Sequence, residues 1–525
     1  MKRTFFLFSL IAYMSVLMAQ TKNNITLQVK VKEGTLEGLN SSGIKTFKGI
    51  PFAQPPVGDL RWREPLPVKP WNGVRKADHF GPRAMQLPLF SDMNFRSDGV
   101  SEDCLYLNVW TPAKKTDDKL PVLVYFYGGG LVAGDGSEYR YDGESMARRG
   151  IVTVTVNYRL SVFGFFAHPG LTRESPYKAS GNYGLLDQAA ALKWVQQNIS
   201  VFGGDPKRIT IAGESAGSFS VSAQMASPLS RDIIAGAIGE SGSLLGTRPI
   251  LTLAEAEQQG KQFADSLGTS SLAELRKLPA QQILDATKKI RTGGIVLDGY
   301  FFPKAPVDIY MAGQQSKVPL LVGWNSEEGG WSGILGKEEP TKENYTKAVQ
   351  QIYGANAADI LKVYNPATDA DVRVVATDLA SDRFIAFGTW RWSDMHARTG
   401  AGKVYRYYYE RPRPATYTSP DAPPATGAVH SAEIEYAMGN LGTNRVFNWQ
   451  PDDFLVSQIL QTYFENFIKT GDPNGLGLPE WPAVVAAKPA EVMHINVDTR
   501  LQTEKYRERY LVLEKMGEKN GKEKR

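Results

Sequence analysis

The chain has 525 residues, of which 42% are hydrophobic and 22% are charged. This balance excludes an intrinsically disordered protein, which needs few apolar residues and a large net charge. The net charge of +5 comes largely from basic residues at the two ends of the chain and does not indicate nucleic-acid binding. With one cysteine and five histidines, the chain has few residues that could form a disulfide framework or a structural metal site.

Residues 1–19 have the pattern of a secretory signal peptide. Lys2 and Arg3 precede an apolar run that ends at the small residue Ala19. The run is shorter than the roughly 20 residues that span a bilayer, which makes the alternative, an N-terminal membrane anchor, the weaker interpretation. We therefore expect a secreted or periplasmic protein whose mature chain starts near Gln20.

Apolar, β-rich runs recur along the chain and are separated by helical patterns, the clearest at 185–198. Runs that are apolar on both faces are typical of strands in a parallel sheet, and their alternation with helices predicts a doubly wound α/β fold with a mostly parallel central sheet. The predicted strands are 120–127, 151–158, 208–212, 235–239, 319–323 and 404–409.

The remaining segments predict helical insertions, a loop and a tail. Residues 250–290 and 340–400 read as amphipathic helices over the C-terminal edge of the sheet, and the Pro-rich stretch 411–427 reads as an irregular loop. We treat residues 20–513 as a single domain and expect the basic stretch 514–525 to be disordered.

The strongest chemical signal is the pentapeptide Gly213-Glu214-Ser215-Ala216-Gly217. It follows a predicted strand and precedes a helix-compatible stretch, which is the strand–turn–helix context of a nucleophilic serine. The flanking glycines leave room for the sharp turn. The alternative, an ordinary Gly/Ser turn, does not account for this context.

A nucleophilic serine needs a base, and three histidines follow Ser215 in the chain. His396 lies within a helical pattern and His494 within an alternating, strand-like stretch. His430 lies after the Pro-rich loop, where a catalytic side chain is more often found. The sequence therefore favours His430, which is expected to titrate near the ordinary histidine pKa of about 6.5.

Two further elements of such a site have candidates. Glu327 and Glu328 follow the predicted strand 319–323, and either could be the acid or belong to a solvated loop. Gly129 and Gly130 follow the first strong strand and could supply backbone donors to an oxyanion. A phosphate-binding loop is the alternative for the glycines, but no Walker lysine accompanies them.

These motifs together resemble the type-B carboxylesterases, the cholinesterase-like branch of the α/β-hydrolase superfamily, with bacterial para-nitrobenzyl-esterase-like members. The likeness covers most of the mature chain. It extends to the segments FKGIPFAQPPVGDLRWREP, SEDCLYLNVWTP, NYRLSVFGFF, GNYGLLDQ, VQQNISVFGGDP and HSAEIEY.

The resemblance implies an α/β-hydrolase fold and ester hydrolysis without a cofactor or metal. It assigns Ser215 as the nucleophile, Glu328 as the acid, His430 as the base, Gly129, Gly130 and Ala216 as oxyanion donors, and Glu214, Ser241 and Glu433 as a supporting polar network.

The chain also departs from the family pattern. The family often pairs the cysteine of SEDCLYLN with an earlier one, and that earlier position here is Ala84, so Cys104 is expected to be unpaired. Cholinesterases carry a choline-binding tryptophan shortly before this cysteine, whereas residues 92–95 read DMNF. Cholinesterase activity is therefore not expected.

The sequence predicts a secreted or periplasmic serine carboxylesterase that acts on a small-molecule ester through an acyl-enzyme. No nucleic acid and no stable membrane anchor are expected, and the oligomeric state is left open. The same site would also serve an amidase, a lactonase or a transacylase. A non-catalytic cholinesterase-like binding protein is a further alternative, which the complete set of catalytic residues disfavours.

Overall fold

The structure is a computed structural model that describes residues 24–523 apart from 248–249, 270, 291, 401 and 422–424. The predicted signal peptide at 1–19 lies outside the described residues. Among the described residues, no helix is both long enough and apolar enough to cross a membrane.

An 11-stranded sheet forms the centre of the molecule. Its strands, in chain order, are β1 (Leu39–Ser41), β2 (Ile44–Pro51), β3 (Tyr106–Thr111), β4 (Leu120–Phe126), β5 (Val152–Val156), β6 (Gly204–Glu214), β7 (Gly236–Glu240), β8 (Leu320–Asn325), β9 (Val404–Tyr409), β10 (Glu491–Ile495) and β11 (Arg500–Thr503). In space the order is β11-β10-β9-β8-β7-β6-β4-β5-β3-β2-β1.

Strands β4 to β10 pair in parallel, and antiparallel strands close both edges of the sheet. Every residue of β5, β7 and β8 is buried, because helices cover both faces of a parallel sheet. The six strands predicted from apolar runs correspond to β4 to β9, and the α/β-hydrolase fold class is confirmed.

Helices cover the sheet and build the insertions. Six of them are numbered in chain order: α1 (Tyr183–Asn198), α2 (Ala216–Ala226), α3 (Val372–Ser381), α4 (Phe387–Arg398), α5 (Pro451–Thr470) and α6 (Arg507–Glu523). A π-helical turn at Asp382–Ala386 lies between α3 and α4. The others are Glu144–Arg148, Ser161–Phe165, Pro169–Glu174, Leu253–Ser266, Leu272–Lys277, Ala280–Ala286, Pro306–Met311, Ser332–Leu335, Lys342–Tyr353, Ala357–Val363 and Ile434–Met438.

Short strands lie outside the central sheet. They are Gln28–Val31, Gly34–Glu37 and Val74–Lys76 in one small sheet, Arg83–Ala84 with Val100–Ser101 in a second, and Leu251–Thr252 with Val296–Leu297 in a third.

The C-terminal stretch contains a helix that the sequence analysis did not predict. Residues 514–523, predicted to be disordered, continue helix α6. Tyr510, Leu513 and Met516 are buried in an apolar cluster with residues of the 340–400 insertion. Their spacing of three residues places them on one helical face, and packing of that face outweighs the high charge of the tail.

The described part of the Pro-rich stretch 411–427 contains no helix or strand, as expected of a loop. An isolated bridge between Thr416 and Phe447 ties it to the following segment. The loop leads directly to His430.

Candidate active site

Ser215 lies on a sharp turn between β6 and α2. Its backbone adopts φ 55° and ψ −119°, a conformation that costs a non-glycine residue about 1–3 kcal/mol. The turn is held in part because the Ser215 N–H donates to the carbonyl of Glu240 at 2.8 Å. The flanking glycines are required, since a Cβ on Gly213 would lie 2.5 Å from the carbonyl oxygen of Phe126.

The structure brings Ser215, His430 and Glu328 into one hydrogen-bonded row. Ser215 Oγ lies 2.9 Å from His430 Nε2, and His430 Nδ1 lies 2.6 Å from Glu328 Oε2. The Glu328 side chain is fully buried, whereas that of His430 is 26% exposed. This is the arrangement in which a carboxylate orients an imidazole towards a hydroxyl.

Glu328 is positioned by the end of strand β8. Its Oε1 accepts a hydrogen bond from the Asn325 N–H at 2.6 Å, and it also lies 2.6 Å from Ser241 Oγ. The neighbouring Glu327 points elsewhere, because its carboxylate accepts from the Thr426 hydroxyl at 2.6 Å. The two adjacent acids therefore differ in orientation, and Glu328 is the one that faces His430.

The other two candidate histidines have structural partners. His396 is buried in α4 with Nε2 2.8 Å from the Val318 carbonyl, and burial lowers its pKa to about 4. His494 lies in β10 with Nδ1 2.9 Å from Glu410 Oε1. Neither is part of the row that contains Ser215.

The predicted oxyanion donors lie beside Ser215. Gly129 and Gly130 have φ values of 104° and 65°, which favour glycine, and both line a cavity together with Ser215 and Ala216. Ala216 is the first residue of α2, and N–H groups in a first helical turn lack partners within the helix. Gly129, Gly130 and the N-terminal end of α2 therefore border the space next to Ser215.

Glu214 and Glu433 form, with Ser241, a buried network beside this row. Ser241 Oγ lies 3.0 Å from Glu433 Oε1, and burial together with the charge of Glu328 raises the pKa of Glu433 to about 7. A hydroxyl carries one proton, so Ser241 donates to one carboxylate at a time, and a protonated Glu433 completes the chain by donating to Ser241.

Glu214 approaches the imidazole from the other side. Its Oε1 lies 3.3 Å from His430 Nε2, and no other hydrogen-bond partner for this oxygen occurs among the described residues. Burial raises the pKa of Glu214 to about 8. Burial lowers the pKa of His430, but the carboxylates of Glu214 and Glu328 outweigh it and raise the value to about 9.

A cavity of about 1280 Å³ opens above Ser215. Its walls come from the C-terminal edge of the sheet and from both helical insertions. Five separate segments of the chain contribute to the wall, and one residue from each is Phe90, Leu131, Leu244, Leu284 and Phe384.

Two features of the site lack a sequence signal. Glu240 is fully buried at the end of β7 and accepts a hydrogen bond from Tyr125 at 3.0 Å. The ring of Phe384 packs against His430. Both contacts join segments far apart in the chain, so no local pattern could have indicated them.

The unpaired cysteine lies apart from the row of Ser215, His430 and Glu328. Cys104 and Ala84 are both buried and line the same small cavity of about 10 Å³. Burial raises the pKa of the Cys104 thiol well above its ordinary value. Such a thiol is inert towards reagents that need the thiolate.

Comparisons with known proteins show the family of the chain. Residues 25–512 match the family described as the carboxylesterase family. The chain is 38% identical to fumonisin B1 esterase of Sphingopyxis macrogoltabida over 435 residues, which cover 79% of this chain and 75% of that protein.

Similar proteins also occur in mammals. Identity to pyrethroid hydrolase Ces2e of Rattus norvegicus is 34% over 473 residues, which cover 84% of this chain and 81% of that protein. Identity to cocaine esterase of Homo sapiens is 33% over 480 residues, which cover 85% of this chain and 83% of that protein. This chain therefore belongs to the carboxylesterase family of α/β-hydrolases and is a carboxylic ester hydrolase.

Proposed function

We propose that the enzyme hydrolyses esters through an acyl-enzyme on Ser215, with His430 as the general base and Glu328 as the acid that orients it. The supporting observation is the row of short contacts, 2.9 Å from Ser215 Oγ to His430 Nε2 and 2.6 Å from His430 Nδ1 to Glu328 Oε2, at the base of the cavity.

In the first step, His430 Nε2 takes the proton from Ser215 as Oγ attacks the ester carbonyl carbon. The carbonyl oxygen becomes an oxyanion, which accepts hydrogen bonds from the amides of Gly129, Gly130 and Ala216. Amides fixed before the reaction stabilise this charge without reorganising, and one such donor is typically worth about 3–4 kcal/mol.

In the second step, the oxyanion collapses, the bond to the alcohol oxygen breaks, and His430 gives its proton to that oxygen. Water then enters, loses a proton to His430 and attacks the acyl carbon. As this second oxyanion collapses, the bond to Ser215 Oγ breaks, His430 returns its proton to Oγ, and the acid is released. Glu328 holds the proton on Nδ1 through both steps and stabilises the imidazolium.

Glu214 is a second carboxyl group next to the base, and because its pKa is raised to about 8, it carries its full negative charge only in the alkaline range. Because its Oε1 lies 3.3 Å from His430 Nε2, an ionised Glu214 favours the imidazolium that forms during both steps. The same contact makes His430 harder to deprotonate in the free enzyme. An ionised Glu214 therefore raises the pKa of the base and also stabilises the intermediate that contains the imidazolium.

The substrate is proposed to be a bulky ester. The cavity of about 1280 Å³ exceeds the roughly 300–1,000 Å³ of ordinary ligand pockets, and the wall residues Phe90, Leu131, Leu244 and Leu284 are apolar. The similar proteins are named for fumonisin B1, pyrethroids and cocaine. An ester panel that includes matched amides and lactones separates esterase from amidase and lactonase activity.

The enzyme is further proposed to be secreted or periplasmic, on the basis of the signal-peptide pattern at 1–19. Mass spectrometry of the N-terminus from a cell fraction tests this. A start near Gln20 in the exported fraction supports export, and an intact Met1 in the cytoplasm contradicts it.

The central experiment replaces the nucleophile. We expect Ser215→Ala to reduce kcat by about 10⁶ and to abolish covalent labelling by a fluorophosphonate, with an unchanged circular dichroism spectrum. A variant that keeps a tenth of the wild-type rate, or labelling of wild type at another residue, contradicts the proposal.

A further inference from the structure

The π-helical turn Asp382–Ala386 forms part of the cavity wall. A π-helical turn holds one residue more than an α-helical turn, and such turns occur frequently at functional sites. The proposed row of Ser215, His430 and Glu328 uses no residue of this turn, so its presence in the wall is not explained by the chemical steps alone.

Phe384 is the residue of this turn that contacts the base. Its ring centroid lies 5.0 Å from that of the His430 imidazole, in an edge-to-face arrangement at 72°. The side chain lines the cavity and is 41% exposed. A large apolar surface is thus left uncovered directly beside the base, where a substrate group can cover it.

Hydrogen bonds hold the turn and the residue before it in place. Asp382 is buried and accepts a hydrogen bond from the Tyr364 hydroxyl at 2.7 Å. Ser381 Oγ lies 3.1 Å from the N–H of Gly329, the residue that follows the proposed acid. The position of Phe384 relative to His430 is therefore fixed by the same segment that carries Glu328.

The geometry of ester cleavage determines which part of the substrate meets this ring. The leaving oxygen must come within about 2.6–3.2 Å of His430 Nε2 to receive its proton. The carbonyl oxygen is held at Gly129 and Gly130, and the acyl chain extends from the carbonyl carbon in the remaining direction. The alcohol portion is thus the part adjacent to His430, and with it to Phe384.

We propose that Phe384 determines specificity by limiting the size of the leaving alcohol. This inference rests on the proposed roles of Ser215 and His430. A pocket wall of this kind discriminates by about tenfold or more for a change of one or two methylenes. The acyl portion lies away from the ring, so discrimination among acyl chains should not depend on it.

The test uses the purified enzyme and two ester series followed by pH-stat titration. One series keeps the acetyl group and grades the alcohol from methyl to naphthyl, and the other keeps the ethyl group and grades the acyl chain from acetyl to decanoyl. The variants are Phe384→Ala, which enlarges the space, and Phe384→Trp, which reduces it. Phe219→Ala is the matched control, because Phe219 lines the same cavity from α2, one turn after the nucleophile.

We expect Phe384→Ala to raise the kcat/KM ratio of naphthyl to methyl acetate by about tenfold, and Phe384→Trp to lower it. The decanoyl to acetyl ratio should change by less than about twofold in both. The opposite signs separate a steric wall from general damage to the site.

The proposal is overturned if the Phe384 variants leave the naphthyl to methyl ratio of kcat/KM (the alcohol ratio) unchanged, or if they change the decanoyl to acetyl ratio equally. It is also overturned if Phe219→Ala raises the alcohol ratio as much as Phe384→Ala does. Ser215→Ala is assayed in parallel. If it is inactive while Phe384 variants leave the alcohol ratio unchanged, only the wall proposal fails; if it stays active, the proposed function fails first.

Discussion

The pH dependence of the enzyme should change in a defined direction when Glu214 is replaced by glutamine. As the proposed base, His430 must be neutral to accept a proton, so kcat/KM should fall as the pH drops through its pKa. The structure raises that pKa above the ordinary value of about 6.5, to about 9, so the midpoint of the limb should lie above pH 6.5. The expectation from sequence alone, an ordinary histidine with a pKa near 6.5, places the midpoint lower, so the measured limb distinguishes the two.

The size of the change follows from one distance. A unit charge on Glu214 at 3.3 Å from Nε2 stabilises the imidazolium by about 1 kcal/mol in water and about 5 kcal/mol at an effective dielectric constant of about 20. His430 is partly exposed, which favours the lower half of this range. Since about 1.4 kcal/mol corresponds to one pKa unit, Glu214→Gln should lower the midpoint by about one to two units.

The assay is kcat/KM for a soluble chromogenic ester between pH 5 and 10 at constant ionic strength. Glu327→Gln is the control, because this carboxylate is bonded to Thr426 rather than to His430 and its loss should leave the midpoint unchanged. A midpoint that stays in place or rises in Glu214→Gln would refute the electrostatic reasoning. An equal shift in both variants would show that the 3.3 Å contact is not its cause.

Three further predictions concern other parts of the chain. Glu328→Gln should reduce kcat by about 10⁴, because an amide favours the wrong imidazole tautomer, whereas Glu327→Gln should reduce kcat by less than about threefold. The reverse ranking would assign the role of the acid to Glu327. His396→Ala should keep most of the esterase activity but lower the melting temperature in calorimetry, since it leaves a buried carbonyl unpaired at a cost of about 1–3 kcal/mol; a loss of activity without destabilisation would contradict this. Ala84→Cys should form a disulfide with Cys104 and stabilise the protein by about 3 kcal/mol through closure of a loop of about 20 residues, and a melting temperature insensitive to reductant would count against it.

The sheet was predictable because its strands are apolar on both faces. The runs at 120–127 and 404–409 match strands β4 and β9 closely, since burial on both sides leaves a continuous local signal. The turn at Ser215 was recognisable for a similar reason, because the tight approach to Phe126 requires glycines at fixed positions. Such constraints act on neighbouring residues and therefore appear in the sequence.

Other properties depend on contacts between distant segments. The orientation of Glu327 and Glu328 is decided by partners at Thr426 and His430, so spacing alone left the acid open. Helix α6 extends through the tail because Leu513 meets an insertion more than a hundred residues earlier. The pKa of His430 likewise depends on carboxylates that only the folded sheet brings together.

The hydrogen bond between Ser215 and His430 joins residues 215 positions apart, and the one between Glu328 and His430 spans 102. Contacts of such long range form late, because loop closure costs entropy before the contact repays it. A nascent or refolding chain can therefore complete most of its sheet while it still lacks a working centre. Recovery of hydrolysis after dilution from denaturant should lag behind recovery of the far-UV spectrum, so catalytic activity reports the last stage of assembly rather than the first.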